Sequence, residues 1–232
     1  MVGTAFLLAI VVGSGIAAQR LSPGDVGLQL FENAVATGAG LVALILAFGP
    51  VSGAHFNPVV TLADRILGGV SNREAVVYVG AQLVGATIGV IVANLMFELP
   101  AVEVSTRARS SGGLVLSEVV ATFGLLLVIL GLARRGRAAV APFAVGAYIA
   151  AAYWFTSSTS FANPAVTVAR SLSDTFAGIR PASVPLFVAA QVVGALAAIA
   201  LALFLHPDLD GDDVVVPHAH AHAHETETEE HR

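Results

Sequence analysis

Two short stretches constrain this chain more than anything else in it: SGAHFNPVVTLADRIL at 52–67 and SFANPAVTVARSLSDT at 160–175. Each runs from small and aromatic loop residues into Asn-Pro, then into an apolar, helix-compatible run. Proline suits the first turn of a helix, where its missing N–H costs nothing, and asparagine before it is a good N-cap. The pattern predicts a loop feeding a short helix twice over, capped at Asn57 and Asn163 and begun by Pro58-Val59 and Pro164-Ala165. Both stretches lie among long apolar segments. Loop backbone inside a membrane is tolerated only where it lines a cavity, which makes both stretches functional candidates.

The composition fits that setting. Of 232 residues, 56% are hydrophobic and 12% charged, against about 25% charged in a soluble domain. This is an integral membrane protein. There is no cysteine, which removes disulfides and thiolate metal sites. The net charge of −5 misleads, because much of the acid sits in the tail. No basic segment precedes the first apolar run, so it reads as a span rather than a signal peptide. Met1 lies directly against that run, which suggests a natural start further upstream.

Six spans are expected, at 2–18, 30–48, 73–99, 114–133, 138–155 and 184–205. Gly49-Pro50 should end the second, and Gly68-Gly69 the first short helix. The halves repeat. Asn57-Pro58 matches Asn163-Pro164, Val60-Thr61 matches Val166-Thr167, and Ala-Gln-x-Val-Gly-Ala recurs at Gln82 and Gln191. Three spans per repeat is an odd number, so the second half must be inverted. The predicted fold is an all-α membrane protein with six transmembrane helices, two half-helices and an inverted three-helix repeat. Its channel domain is 1–206, with repeats at 1–99 and 114–206. The tail, 207–232, ends HAHAHAHETETEEHR and is expected to be disordered. The basic turn at Arg134, Arg135 and Arg137 places both termini in the cytoplasm.

Half-helices entering from opposite faces would meet near the midplane and bring two positive dipole ends to one point. Asn57 and Asn163 would each aim an amide into the lumen, with two donors and an acceptor. The carbonyls of Gly53, Ala54, His55 and Phe56, and of Thr159, Phe161 and Ala162, would line the path. Such a path suits small uncharged solutes and raises a barrier to cations and protons.

With these residues in view, the sequence resembles the aquaporin and glycerol-channel family, the major intrinsic proteins, over residues 1 to about 206. The resemblance implies an aquaporin-like fold and a homotetramer with one pore per protomer in a bilayer. It also implies no enzyme activity, no cofactor, no metal and no nucleic-acid partner. The first box departs from the family pattern at Val59, where alanine is usual. Val166 stands where the family usually has its filter arginine. Ungapped spacing carries the filter ring over to Thr37, Ala151, Ser160 and Val166, a small, neutral and wide ring with no fixed cation. Thr37 with Val166 resembles a bacterial branch associated with arsenic resistance. That implies passage of arsenous acid besides water, glycerol and urea, across a bacterial inner membrane.

Other residues admit plainer roles. Glu118 is expected to tie down loop backbone beside a half-helix, rather than relay protons. Relatives carry a matching glutamate in the first span that this chain lacks. His55 reads as a loop-fixing group rather than a pH gate. Gln82 and Gln191 read as interhelical ties. Asp64 and Arg170 read as solvated vestibule charges with no role. His218, His220, His222 and His224 offer metal ligands without fixed geometry, so the tail reads as solvated. An ion-coupled transporter is the alternative function, and it needs a midplane carboxylate for which only Glu118 qualifies. An intramembrane enzyme would need a nucleophile and base within reach, and His55 sits on the wrong half for Ser160.

Overall fold

The protein is described here as a computed structural model covering residues 1–133 and 137–206. Arg134, Arg135 and the 207–232 tail, with its histidines, lie outside the described residues. Eight α-helices follow one another: α1 (Val2–Leu21), α2 (Val26–Ser52), α3 (Pro58–Ile66), α4 (Asn72–Met96), α5 (Gly112–Ala133), α6 (Ala141–Phe155), α7 (Pro164–Ala169) and α8 (Val184–Leu205). Five are long and apolar enough to cross a bilayer. The sixth span is α6, with 15 residues, extended at its start by a 3-10 turn at Ala138–Val140. The half-helices α3 and α7 complete the expected architecture.

Helix ends follow local chemistry. Asp25 accepts from the Leu28 N–H at 2.9 Å, so α2 begins four residues before the expected Leu30. Gly49-Pro50 does not end it. Proline removes one donor near the last turn, and the helix continues until Gly53, at φ +69°, returns its N–H to the Gly49 carbonyl at 2.8 Å. A capping box opens α4, with Glu74 N–H on the Ser71 hydroxyl at 3.2 Å and Ser71 N–H on the Glu74 carboxylate at 2.8 Å. The second half-helix, α7, spans six residues against nine in α3, and a 3-10 turn at Arg170–Leu172 follows it.

Packing displays the inverted repeat. Helix α1 packs on α4 as α5 packs on α8, and α2 meets α6 across the centre. Each half-helix contacts the last long helix of both halves. Small residues permit this closeness, since apolar helices in lipid associate through contact rather than the hydrophobic effect. A Cβ on Gly194 would stand 2.4 Å from the Val119 carbonyl oxygen, and one on Gly89 would stand 2.1 Å from that of Ala5.

The half-helices are pinned by two parallel sets of hydrogen bonds. Gln191 Nε2 donates to the Thr167 hydroxyl at 2.8 Å, and that hydroxyl donates to the Asn163 carbonyl at 2.8 Å. In the first half Gln82 Nε2 donates to the Thr61 hydroxyl at 3.0 Å, and Thr61 to the Asn57 carbonyl at 3.3 Å. Glu118 is fully buried and accepts from the N–H groups of Phe161 and Ala162, each at 2.9 Å, and from Gln191 Nε2 at 2.6 Å. These bonds tie the second loop to α5 and α8.

Two substitutions test this scaffold. Gly194→Ala sets a methyl against backbone that cannot swing aside, and overpacking of this kind costs about 1–3 kcal/mol. The detergent-solubilised variant should melt several degrees below wild type, whereas Gly80→Ala, which meets open space, should not; equal melting would refute the close-approach argument. In Glu118→Gln an amide replaces one oxygen facing three donors, leaving a buried N–H group unpaired at about 1–3 kcal/mol. Thermal stability and solute flux should both fall, and retention of both would show that the carboxylate is dispensable.

Candidate functional site: a lumen closed by two asparagines

Asn57 and Asn163 each do two things at once. As caps, the Asn57 Oδ1 accepts from Val59 N–H at 3.1 Å, and the Asn163 Oδ1 from Ala165 and Val166 N–H at 2.9 and 3.2 Å. As cross-links, the Asn57 Nδ2 donates to the Ala162 carbonyl at 2.7 Å and the Asn163 Nδ2 to the Phe56 carbonyl at 2.8 Å. Each loop is thereby fastened by the opposite half's asparagine. An amide nitrogen carries two donors, so one N–H on each remains for the lumen.

The loops hold an unusual backbone. Gly53, Ala54 and Phe56 have φ of +69°, +47° and +51°, and the repeat-matched Thr159, Ser160 and Ala162 have +64°, +50° and +46°. Five of these six positions are not glycine, and left-handed backbone at such residues costs of order 1–3 kcal/mol each. The bonds from Glu118 and Asn57 offset that strain at the second loop, and the bond from Asn163 does so at the first.

A cavity of about 350 Å³ runs past both asparagines. Its walls are mostly apolar, with Leu7 and Val11 from α1, Leu41 and Ile45 from α2, Val60 from α3, Leu125 and Ile129 from α5, and Val145 and Ile149 from α6. Of the expected loop residues, Ala54, His55, Phe56, Phe161 and Ala162 line it, and Gly53 and Thr159 do not. The half-helix starts Pro58, Val59, Pro164 and Ala165 stand behind the asparagines rather than on the wall.

Three of the four expected filter residues, Thr37, Ser160 and Val166, share this wall. Ala151 does not; it is exposed. Helix α6 buries Gly146, Ile149, Ala152 and Tyr153, so counting back from Asn163 lands on the opposite face. Tyr153 takes the place instead, its hydroxyl 3.1 Å from that of Thr37. The Ser160 hydroxyl is buried, lines the cavity, and has no hydrogen-bond partner among the described residues.

The charged residues also differ from expectation. Arg170 is not a solvated vestibule charge. It is 2% exposed and lines the cavity. Its guanidinium carbon lies 3.5 Å from the centroid of the Phe161 ring, and its Nε donates to the Ala177 carbonyl. The lumen therefore carries a fixed cation, one turn beyond Val166. Arg109, from the loop between α4 and α5, also lies over Phe161, at 4.9 Å, and donates to the carbonyls of Gly178, Ser158 and Phe176. Burial, then the positive charges of Arg170 and Arg107, lower the Arg109 pKa to about 9, which leaves it charged at neutral pH. Asp64 is likewise buried, its carboxylate 3.4 Å from His55 Nε2, while His55 Nδ1 lies 3.0 Å from the Thr61 hydroxyl. His55 thus braces its loop against α3.

Comparisons with known proteins agree with this geometry. The family model for major intrinsic proteins matches residues 1–162. An aquaglyceroporin, AqpS of Rhizobium meliloti (strain 1021), is 51% identical over 88% of this chain and 86% of its own length. A probable aquaporin, AqpM of Archaeoglobus fulgidus, is 33% identical over 75% of this chain and 76% of its own. The X-ray structure of the aquaglyceroporin from Plasmodium falciparum superposes with a TM-score of 0.68 at 21% identity, covering 89% of this chain and 94% of that one. With its six spans, two half-helices and asparagine-lined lumen, this chain is a member of the major intrinsic protein family of membrane channels.

Proposed function

We propose that the protein conducts small uncharged hydroxylic solutes passively, with water, glycerol, urea and arsenous acid in its range. The observation that carries this reading is the wall around Val166. There a short apolar side chain lines the same lumen as the hydroxyls of Thr37, Tyr153 and Ser160. A polyol can lay its carbon edge on the apolar side and trade water hydrogen bonds for pore hydrogen bonds on the other. Arsenous acid, neutral and with three hydroxyls, presents the same donors and acceptors. The similarity to an aquaglyceroporin points the same way.

In this reading residues 1–206 are the channel and 207–232 an appended tail. The protein works as a homotetramer with a pore in each protomer, in a bacterial inner membrane with both termini cytoplasmic. The ion-coupled alternative needs a free carboxylate at the midplane. Glu118 is ill suited, because both its oxygens are occupied by donors that fix the loop.

Proteoliposome swelling followed by stopped flow tests the reading. Glycerol and urea should enter at rates proportional to their gradients and unaffected by a protonophore; uptake that collapses with the proton gradient would favour a coupled transporter. Val166→Arg should narrow the lumen and cut glycerol flux by about tenfold or more, equivalent to about 1.4 kcal/mol of added barrier, while water flux falls much less. An unchanged solute range in that variant would contradict the assignment of Val166 to the constriction.

A further inference from the structure

We propose that Arg170 is the charge filter of this pore, which separates the exclusion of cations from the sizing of neutral solutes. The inference rests on the channel reading above and adds a specificity-determining residue to it. Arg170 lies seven residues past Asn163, and Asp64 lies seven past Asn57, so the two repeats place opposite charges at matched positions. Asp64 meets His55, whereas Arg170 meets Phe161, the residue matched to His55.

The consequences for the lumen differ. Asp64 does not line the cavity, and Arg170 does. The arginine guanidinium is charged at neutral pH. Among the described residues, Arg170 takes part in no ion pair, and its one hydrogen bond uses Nε alone. The Phe161 ring and the Ala177 carbonyl fix the guanidinium without neutralising it. The nearby acid is Glu118, whose carboxylate is bound to the backbone N–H groups of Phe161 and Ala162 and to Gln191. A pinned positive charge on a water-poor wall raises the energy of any cation beside it.

Neutral solutes meet a different set of groups. The Ser160 hydroxyl, buried and unpartnered among the described residues, and the Thr37–Tyr153 hydroxyl pair offer hydrogen bonds on the same wall. Val166 leaves the space that a guanidinium at that position would fill. Glycerol-sized molecules thus meet hydroxyls along the wall while sodium ions and protons face the Arg170 charge. Arg109, held by three carbonyls over the same ring, backs that charge from outside the cavity wall.

The test is to reconstitute wild type, Arg170→Gln, Arg170→Met and Arg170→Lys, and to measure sodium and proton leak alongside glycerol flux. The neutral variants should raise the ratio of cation leak to glycerol flux at least about tenfold above wild type, as expected on removing a fixed charge. The lysine variant should restore the block. Neutral variants that conduct glycerol and stay cation-tight would overturn the proposal, as would a lysine variant that leaks like glutamine. If neither neutral variant yields folded protein while lysine does, Arg170 is a structural cation and the proposal falls. A wild-type protein that passes no glycerol would instead sink the channel reading, because ion leak is measured independently.

Discussion

The structure depends on a reciprocal pair of hydrogen bonds. Asn57 donates to the carbonyl of Ala162, and Asn163 donates to the carbonyl of Phe56. Each bond joins one repeat to the other across the middle of the protein. Neither half-helix is long enough to hold itself in a bilayer, with nine residues in one and six in the other. Short helices draw their stability from tertiary contacts rather than propensity. Here those contacts are made by the residues that define the lumen. Removing either amide would release a strained loop as well as alter the path for a solute.

The two repeats use the same scaffold differently. Glutamine to threonine to asparagine carbonyl is common to both. In the second repeat Glu118 adds two backbone bonds to the loop. In the first repeat the loop bears His55, which joins Thr61 and Asp64. Matched positions have thus diverged in charge while keeping their geometry.

Much of this was legible in the residues. Asparagine and proline announce a helix start by local chemistry alone, so the half-helices could be read before any packing was known. The apolar runs marked the spans, and Glu118 at the start of one marked a buried acceptor. Three things were hidden. The left-handed backbone at Ala54, Phe56, Ser160 and Ala162 has no glycine to signal it. The face that α6 turns inward depends on the loop between it and Asn163, which is why Tyr153 rather than Ala151 meets Thr37. The fate of Arg170 depends on where a long side chain finds an aromatic ring and a carbonyl, and both lie outside its own helix turn. Spacing along a chain does not encode those contacts.

The most direct test is a high-resolution experimental structure of the protein equilibrated with glycerol. The account predicts a file of glycerol and water in the lumen, with solute hydroxyls in hydrogen-bond reach of the Asn57 and Asn163 amides and of the Ser160 hydroxyl. A lumen that stays empty of solute, or one in which the two asparagines lie apart with their carbonyl bonds broken, would contradict it.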